Sequence, residues 1–276
     1  MKETVFFLEG RAGNYFYHFF IYNLGGLYYI LNKNYNNRGP TNTSVLLENT
    51  NNIVSKPSAE ISFPIKIYMK DILPFQREAF EILKDKFELI EDVTNIEDYE
   101  IVSIYGEISL GGYSDNGKNI YPFIRRLFLD NLNYQIIPKK RIFITRKGSH
   151  IYHNNILKRI ILNEEELNRN ILQKYNFEYV QLEDYNMHDK IKIFMESEVI
   201  VSSNSGALTL LLFANINTRI IEIRNNGTTG FSHEHYSEIS SELGLNYNRF
   251  SDINEDHNGN FNINIKRFED FLVKLL

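Results

Sequence analysis

A short turn in the second half of the chain has the residues best suited to bind an anion. Four small residues form it: Ser203, Asn204, Ser205 and Gly206. The turn follows the apolar run 199–201 and precedes the apolar run 207–213, so the pattern predicts a strand, a turn and a buried helix. Backbone N–H groups at a helix N-terminus favour anions, and small side chains let a phosphate approach them. Ser and Asn also cap helices, so the turn taken alone is equally consistent with simple capping.

Three charged residues at predicted strand ends could complete a phosphate or nucleotide site. Arg146 and Lys147 follow one predicted strand, and Glu222 ends the strand after the turn. Ligands of parallel α/β sheets bind at the carboxyl ends of strands. There the cations would bind phosphate, and the carboxylate would accept hydrogen bonds from ribose hydroxyls. The alternatives are a surface salt bridge for Arg146 and an ion pair of Glu222 with Arg219 or Arg224.

Two histidines follow Glu222 at the start of a predicted helix. His233 and His235 could contact a nucleobase or a phosphate there. They could also form a zinc pair, but residues two positions apart do not share a helical face, and no third ligand is evident. The sequence therefore predicts no metal site.

The first half of the chain offers three candidates for a general base that takes a proton from a hydroxyl group. His18 opens a helix directly after the first predicted strand, and an unperturbed imidazole titrates near neutral pH. Glu9 and Glu107 both end predicted strands. The alternative for His18 is a core histidine among aromatic residues, so the base stays open among the three.

Composition describes an ordinary globular protein: 43% of the 276 residues are apolar and 24% are charged. The absence of cysteine excludes disulfides, thiolate zinc sites and a cysteine nucleophile. The net charge of −5 gives no general basic surface for nucleic acid, and the local cluster of cations over 139–147 suits a small anion better than a polymer. No signal peptide or transmembrane segment is evident, so we expect a cytoplasmic protein. The oligomeric state stays open.

Strands and helices alternate along the chain. The predicted strands are 5–8, 45–48, 65–69, 101–105, 141–145, 179–182, 199–201 and 218–223. The predicted helices are 15–31, 75–87, 122–132, 164–174, 188–197, 207–213, 233–243 and 265–276. The segment 111–117 is predicted to be flexible, and a polar loop is predicted before the last helix.

The alternation restarts after the segment 133–140, which predicts two domains, 1–135 and 136–276. Each half has the βα alternation of a Rossmann-like domain, so the predicted class is α/β, with two such domains facing a cleft. We expect the last helix to pack back on the N-terminal domain.

Five motifs in the second half occur in a fixed order. They are Arg146, the helix start RIILNEEEL at 159–167, the strand FEYV at 177–180, the turn with Leu208 and Phe213, and the strand IIEI at 220–223. Together they resemble glycosyltransferase family 61, and the segment NYFYHF at 14–19 is similar to the N-terminal motif of that family. Arg159 precedes a capped helix, so we assign it a structural role, paired with Glu164 or Glu165.

The resemblance implies a GT-B fold, with the nucleotide-sugar donor in the C-terminal domain and the acceptor in the N-terminal domain. It implies inverting transfer of a hexose or pentose such as GlcNAc or xylose, usually from a UDP donor, to a glycan or protein hydroxyl. EGF-domain O-GlcNAc transferases and xylosyltransferases are enzymes of this kind. No cofactor or metal is implied. The family's usual His in the turn falls on Asn204, which keeps a hydrogen bond but not a positive charge, and its Gly falls on Ser205.

Two other functions are compatible with the same sequence. The first is another group transfer in a GT-B-like cleft, such as pyruvyl transfer to a glycan. The second is a catalytically weakened module that binds a nucleotide or glycan, which the replacement of the family His by Asn204 suggests.

Overall fold

A computed structural model of the protein describes residues 3–9, 16–32, 63–91, 99–105, 113–132, 134, 136–147, 159–224 and 234–276. The predicted strand 45–48 and the candidate site residues Glu107 and His233 lie outside the described residues. The chain divides into two compact units, Met1–Asn131 and Leu132–Leu276. Each unit contains a parallel β-sheet.

The sheet of the first unit has four parallel strands in the order β3-β2-β1-β4. The strands are β1 (Glu3–Glu9), β2 (Ile65–Tyr68), β3 (Phe87–Ile90) and β4 (Tyr99–Tyr105). Phe6 of β1 lies opposite Ile67 on one side and Val102 on the other. Such nearly continuous apolar runs are typical of strands in parallel sheets.

Three helical regions accompany this sheet. They are α1 (the consecutive segments Phe16–His18, Phe19–Asn23 and Leu24–Asn32, the middle one a π turn), α2 (Pro74–Ile82) and α3 (Tyr113–Leu132). Aromatic residues are prominent in the core of the first unit. The buried ones include Phe19, Phe20, Phe80, Phe87 and Phe128.

Two predicted boundaries in this unit are wrong. The helix predicted over 75–87 ends at Ile82, because a turn reverses the chain and Phe87 begins β3. The helix predicted to start at Pro122 begins at Tyr113 instead, so Pro122 lies inside it and most of the segment expected to be flexible is helical. The residues before Pro122 have the small, polar composition that is typical of a loop, yet they form part of this helix.

The sheet of the second unit has five parallel strands in the order β6-β5-β7-β8-β9. The strands are β5 (Lys140–Ile144), β6 (Phe177–Val180), β7 (Ser197–Ser203), β8 (Arg219–Ile223) and β9 (Asn246–Phe250). The strand order reverses between β5 and β7, which is where ligands bind in sheets of this type. The sequence did not predict β9, a polar strand at the edge of the sheet.

The remaining elements of this unit are helical, apart from one hairpin. They are α4 (Glu164–Leu167 continued by the π turn Asn168–Leu172), the short 3-10 turn Leu182–Asp184, α5 (Met187–Met195), the 3-10 helix Gly206–Phe213, α6 (His235–Glu242), the hairpin β10 (Ile253–Glu255) with β11 (Phe261–Ile263), and α7 (Ile265–Leu275). The 3-10 helix Gly206–Phe213 corresponds to the buried helix that the sequence predicts over 207–213.

The last helix packs on the second unit. Phe268 and Leu272 of α7 are fully buried in a cluster that includes Phe250 of β9, and the Phe250 and Phe268 rings meet edge to face at 5.1 Å between centroids. The buried side of α7 therefore belongs to the core of its own unit. A contact of this helix with the N-terminal domain stays a prediction.

The α/β class with parallel sheets is confirmed in both units, whereas the two-domain cleft stays a prediction. Within the described residues, no helix is long and apolar enough to cross a membrane.

Candidate functional site

Two neighbouring strands bring the predicted phosphate-binding residues together. β5 pairs with β7 in parallel, with Ile144 opposite Ser202. Arg146 follows β5 and Asn204 follows β7, so both lie at the carboxyl ends of strands where the strand order reverses. The Arg146 Nη1 atom donates a hydrogen bond to the backbone oxygen of Asn204 at 3.4 Å.

Asn204 is hydrogen-bonded to the three charged residues Arg146, Arg159 and Glu222. Its Oδ1 atom accepts a hydrogen bond from Arg159 Nη1 at 2.9 Å, and its Nδ2 atom donates to Glu222 Oε1 at 2.5 Å. Its backbone N–H donates to the oxygen of Ile223 at 3.2 Å. The amide oxygen thus faces a cation and the amide nitrogen faces a carboxylate, which is the orientation that the charges require.

Arg146 and Arg159 place two positive charges around this one residue. The Arg146 side chain is 9% exposed. Burial and, after it, the charge of Arg159 lower the pKa of Arg146 to about 10, so its guanidinium stays positive at neutral pH. Two like charges in a partly desolvated place repel each other, and an anion bound between them would relieve that repulsion.

The position of Arg159 differs from the one expected. Its guanidinium bonds to Asn204, and the two predicted partners are occupied elsewhere: Glu165 pairs with Lys147, and Glu164 accepts hydrogen bonds from Thr145 and Tyr179. The structural assignment of Arg159 to those carboxylates is wrong: the residue has a left-handed backbone with φ of 60°, and its side chain bonds to Asn204 instead.

Glu222 faces the protein interior in this structure. Its carboxylate is 1% exposed; one oxygen accepts from Asn204 and the other from the Tyr247 hydroxyl at 2.5 Å. Burial and the Glu222 charge raise the pKa of Tyr247, so its hydroxyl remains a donor. Among the described residues, the hydrogen bonds of Glu222 go to these two partners and not to Arg219 or Arg224. Its contact with ribose stays a prediction.

A buried carboxylate fixes the backbone around Arg146. Glu164 of α4 is 2% exposed and accepts a hydrogen bond from Thr145 Oγ1 at 2.6 Å and another from the Tyr179 hydroxyl. Thr145 Oγ1 in turn accepts from the backbone N–H of Lys147 at 3.0 Å. The residues on both sides of Arg146 are therefore held by one buried network.

Lys147 lies on the surface beside this network. Its ammonium group pairs with the exposed Glu165 at 3.3 Å, and pairs of this kind contribute little. Its predicted contact with phosphate stays a prediction.

The small residues of the turn have the expected setting. Ser203 ends β7 and Gly206 begins the 3-10 helix, whose first N–H groups have no acceptor within the helix. Ser205 is 3% exposed, and its hydroxyl has no hydrogen-bond partner in the part of the chain that the structure describes. A buried hydroxyl beside open N–H groups suits an oxygen-rich anion.

His235 begins α6, and its neighbour Tyr236 interacts electrostatically with the charged residues of the site. Burial and, after it, the charge of Glu222 raise the pKa of the Tyr236 hydroxyl, and both Arg146 and Arg159 act on it in the opposite direction. The buried phenol therefore stays neutral at neutral pH. A nucleotide contact by His235 stays a prediction.

The three candidate bases belong to the first unit. The His18 ring meets the Tyr17 and Tyr22 rings edge to face, with centroids 5.8 and 5.1 Å apart. Glu9 ends β1, and Glu107 lies outside the described residues. The base therefore stays a prediction. Among the described residues no three His, Cys, Asp or Glu side chains form a group that could hold a metal ion.

Sequence reasoning missed three residues of the site, and only one of them carried a signal. Arg159 opens the R-x-I-x-N-E-E motif, so its place in that motif could have suggested a role at the turn. Tyr236 and Tyr247 carry no such pattern. Their positions depend on α6 and on β9, the strand that the sequence did not predict.

A comparison with protein families agrees with this geometry. The family model described as Glycosyltransferase 61 matches residues 16–221, a range that contains Arg146, Arg159 and the turn. No curated protein matches the chain. The resemblance found in the motifs is confirmed, and because the match covers well over half of the sequence, the chain belongs to glycosyltransferase family 61.

Proposed function

We propose that this protein is an inverting glycosyltransferase that takes a hexose or pentose such as GlcNAc or xylose from a nucleotide-sugar, with a UDP-sugar as the favoured donor. The observation that carries the proposal is the convergence of Arg146 and Arg159 on Asn204 where the strand order reverses. The donor diphosphate would bind there, between the two guanidinium groups and the turn 203–206.

The chemistry of sugar transfer explains why two arginines belong at this place. As the bond to the sugar breaks, negative charge develops on the departing diphosphate, and preorganised cations stabilise that charge. Guanidinium groups match phosphate oxygens with paired N–H donors. Arg159 also brings to Asn204 a positive charge of the kind that a histidine in the turn could supply. With two cations in place, the proposal needs no metal.

The first unit would then bind the acceptor, a glycan or protein hydroxyl, in a GT-B arrangement. Single displacement with inversion requires a base that takes the proton of the acceptor hydroxyl. His18, Glu9 and Glu107 remain the candidates for that role.

A nucleotide panel tests the donor site. Thermal shifts are measured with UDP, GDP, CMP and pyrophosphate for the wild type, Arg146→Ala, Arg159→Ala and the control Arg169→Ala, which removes an exposed arginine of α4. A ligand at ~100 times its dissociation constant stabilises by roughly 2.7 kcal/mol. We expect UDP to stabilise the wild type and the control, and each site variant to bind it about 10- to 100-fold more weakly. Wild-type protein that binds none of these ligands would contradict the proposal.

Turnover separates the proposal from its main alternative, a nucleotide- or glycan-binding module. Asn204 in place of histidine is the observation that favours that alternative. UDP release from UDP-GlcNAc and UDP-xylose, with and without hydroxyl acceptors, is measured by chromatography. A transferase releases UDP, whereas a module binds UDP and leaves both sugars intact.

A further inference from the structure

We infer that the hairpin turn 256–260, about a hundred residues after Arg159 in sequence, is a positioning element of the proposed donor site that holds the Arg159 guanidinium at Asn204. The turn joins β10 to β11 and lies beyond residues 16–221, the range that the family model matches. The inference rests on the proposed function for its effect on ligand binding, but not for its structural content.

Hydrogen bonds of the backbone groups of Arg159 and Ile160 attach this segment to the hairpin. The Arg159 N–H donates to the oxygen of Asn258 at 3.2 Å, and the Ile160 N–H donates to Asn260 Oδ1 at 3.1 Å. The Phe261 N–H donates to the oxygen of Ile160 at 3.1 Å. The segment is thus bound along one edge of the hairpin, which fixes where the Arg159 side chain starts.

Gly259 leaves the space through which the Arg159 side chain runs. A Cβ atom added to Gly259 would lie 3.0 Å from Arg159 Cγ, which is closer than such atoms normally approach. Gly259 has φ of 76°, in the left-handed region that glycine adopts at least cost. A side chain at this position would therefore require the Arg159 stem to shift by a few tenths of an ångström.

Asp256 holds the turn in shape. Its Oδ1 atom accepts hydrogen bonds from the backbone N–H groups of Asn258 and Asn260, both at 2.8 Å, and its backbone oxygen accepts from the Gly259 N–H at 2.9 Å. The N–H groups of three consecutive residues thus donate to Asp256, and these bonds stabilise the turn. Because the turn is hydrogen-bonded to the backbone of Arg159 and Ile160, it also restrains the position of Arg159.

The chain supplies a matched pair of glycines to test this inference. Gly244 has φ of 68°, close to that of Gly259, but a Cβ atom there would lie 3.8 Å from Ile216 Cγ2, an ordinary contact. Gly259→Ala and Gly244→Ala therefore impose similar backbone strain, and only Gly259→Ala also pushes Arg159. Asn260→Ala, which removes the acceptor of the Ile160 N–H, tests the same segment without changing a left-handed residue. The exposed Asn262→Ala on β11 is its control.

The first measurement is the affinity for UDP and for pyrophosphate by calorimetry. We expect Gly259→Ala and Asn260→Ala to weaken both ligands about tenfold, and both controls to stay within about twofold of wild type. In the Arg159→Ala background, Gly259→Ala should cause no further loss, because it acts through the Arg159 side chain. Equal losses in Gly259→Ala and Gly244→Ala, or an undiminished loss in the double variant, would overturn the inference.

The second measurement needs no ligand. Crystal structures of Gly259→Ala and Gly244→Ala give the distance from Arg159 Nη1 to Asn204 Oδ1, which is 2.9 Å in the wild type. We expect this distance to be longer in Gly259→Ala and unchanged in Gly244→Ala. An unchanged distance in both overturns the inference even if UDP binds. A wild type that binds neither ligand refutes the proposed function, and the two structures still decide whether the hairpin positions Arg159.

Discussion

The side-chain amide of Asn204 donates a hydrogen bond of 2.5 Å to the carboxylate of Glu222, a residue of the neighbouring strand. The other end of the same amide accepts from Arg159 at 2.9 Å. If the amide turned over, its N–H groups would face the guanidinium and its oxygen would face the carboxylate, and both contacts would become repulsive. Glu222 therefore decides which end of Asn204 faces the cation.

Glu222→Gln distinguishes this positioning role from contact with ribose. The glutamine oxygen can still accept from Asn204, and the loss of a negative charge strengthens the attraction of the two arginines for anions. We expect the affinities for UDP and for pyrophosphate to stay unchanged or to rise up to about fivefold. Calorimetry with both ligands makes the measurement. A loss for UDP that spares pyrophosphate, which has no ribose, would indicate the ribose contact instead.

Glu222→Ala has a different expected outcome. It leaves the Asn204 amide and the Tyr247 hydroxyl without their buried acceptor, and each such group costs about 1–3 kcal/mol. We expect the free energy of unfolding to fall by roughly 2–4 kcal/mol, read from urea denaturation. A variant as stable as wild type would contradict the buried network.

Thr145→Val and Tyr179→Phe separate the network below Arg146 into its two parts. Both remove a hydroxyl that donates to Glu164, but only Thr145 also accepts from the Lys147 N–H. We expect each change to lower the free energy of unfolding by about 1 kcal/mol and only Thr145→Val to weaken UDP, by about fivefold. Urea denaturation and calorimetry on the same samples provide both quantities. Equal losses of UDP affinity would show that the hydrogen bond from the Lys147 N–H to Thr145 adds nothing to the contact with Glu164 that both hydroxyls make.

The sequence predicted the part of the site that depends on strand ends. Arg146 and Asn204 each follow an apolar run, and parallel strands bring such positions to one edge of the sheet. That rule needs only the positions of the two strands. Their adjacency, on which a shared site depends, is given by the pairing of β5 with β7.

The sequence could not predict the contacts that depend on distant segments. Arg159 precedes three glutamates, so local pairing was the simplest expectation, yet a left-handed backbone and a hairpin far along the chain direct it to Asn204. Tyr247 lies on β9, which has the sequence NYNRF. Most of these residues are polar, so the sequence pattern does not predict a strand there. Long-range packing decided both cases, and one sequence carries little information about it.

Asp256→Asn gives a test of the hairpin turn by pH. The hydrogen bonds from the Asn260 and Asn258 backbone lower the pKa of Asp256 below its ordinary value of 3.8. Its stabilisation is therefore complete above that value and is lost as the pH falls through the lower pKa of the folded state. We expect the Tm of Asp256→Asn to lie below that of wild type by a constant amount from pH 7 to about 5, and the difference to shrink below about pH 4. Asn262→Ala, an exposed change on β11 that removes no titratable group, should show no such trend.

Phe268→Ala tests the packing of the last helix on the second unit. Phe268 is fully buried and its ring meets Phe250 of β9, so truncation leaves a cavity in the core of that unit. We expect the free energy of unfolding to fall by about 3–5 kcal/mol, whereas Val273→Ala, whose side chain is 53% exposed on the same helix, should cost less than about 0.5 kcal/mol. Urea midpoints followed by circular dichroism make the comparison. Similar small losses in both variants would mean that α7 contributes little to this core, and β9, the strand on which Phe250 lies, would then need another source of support.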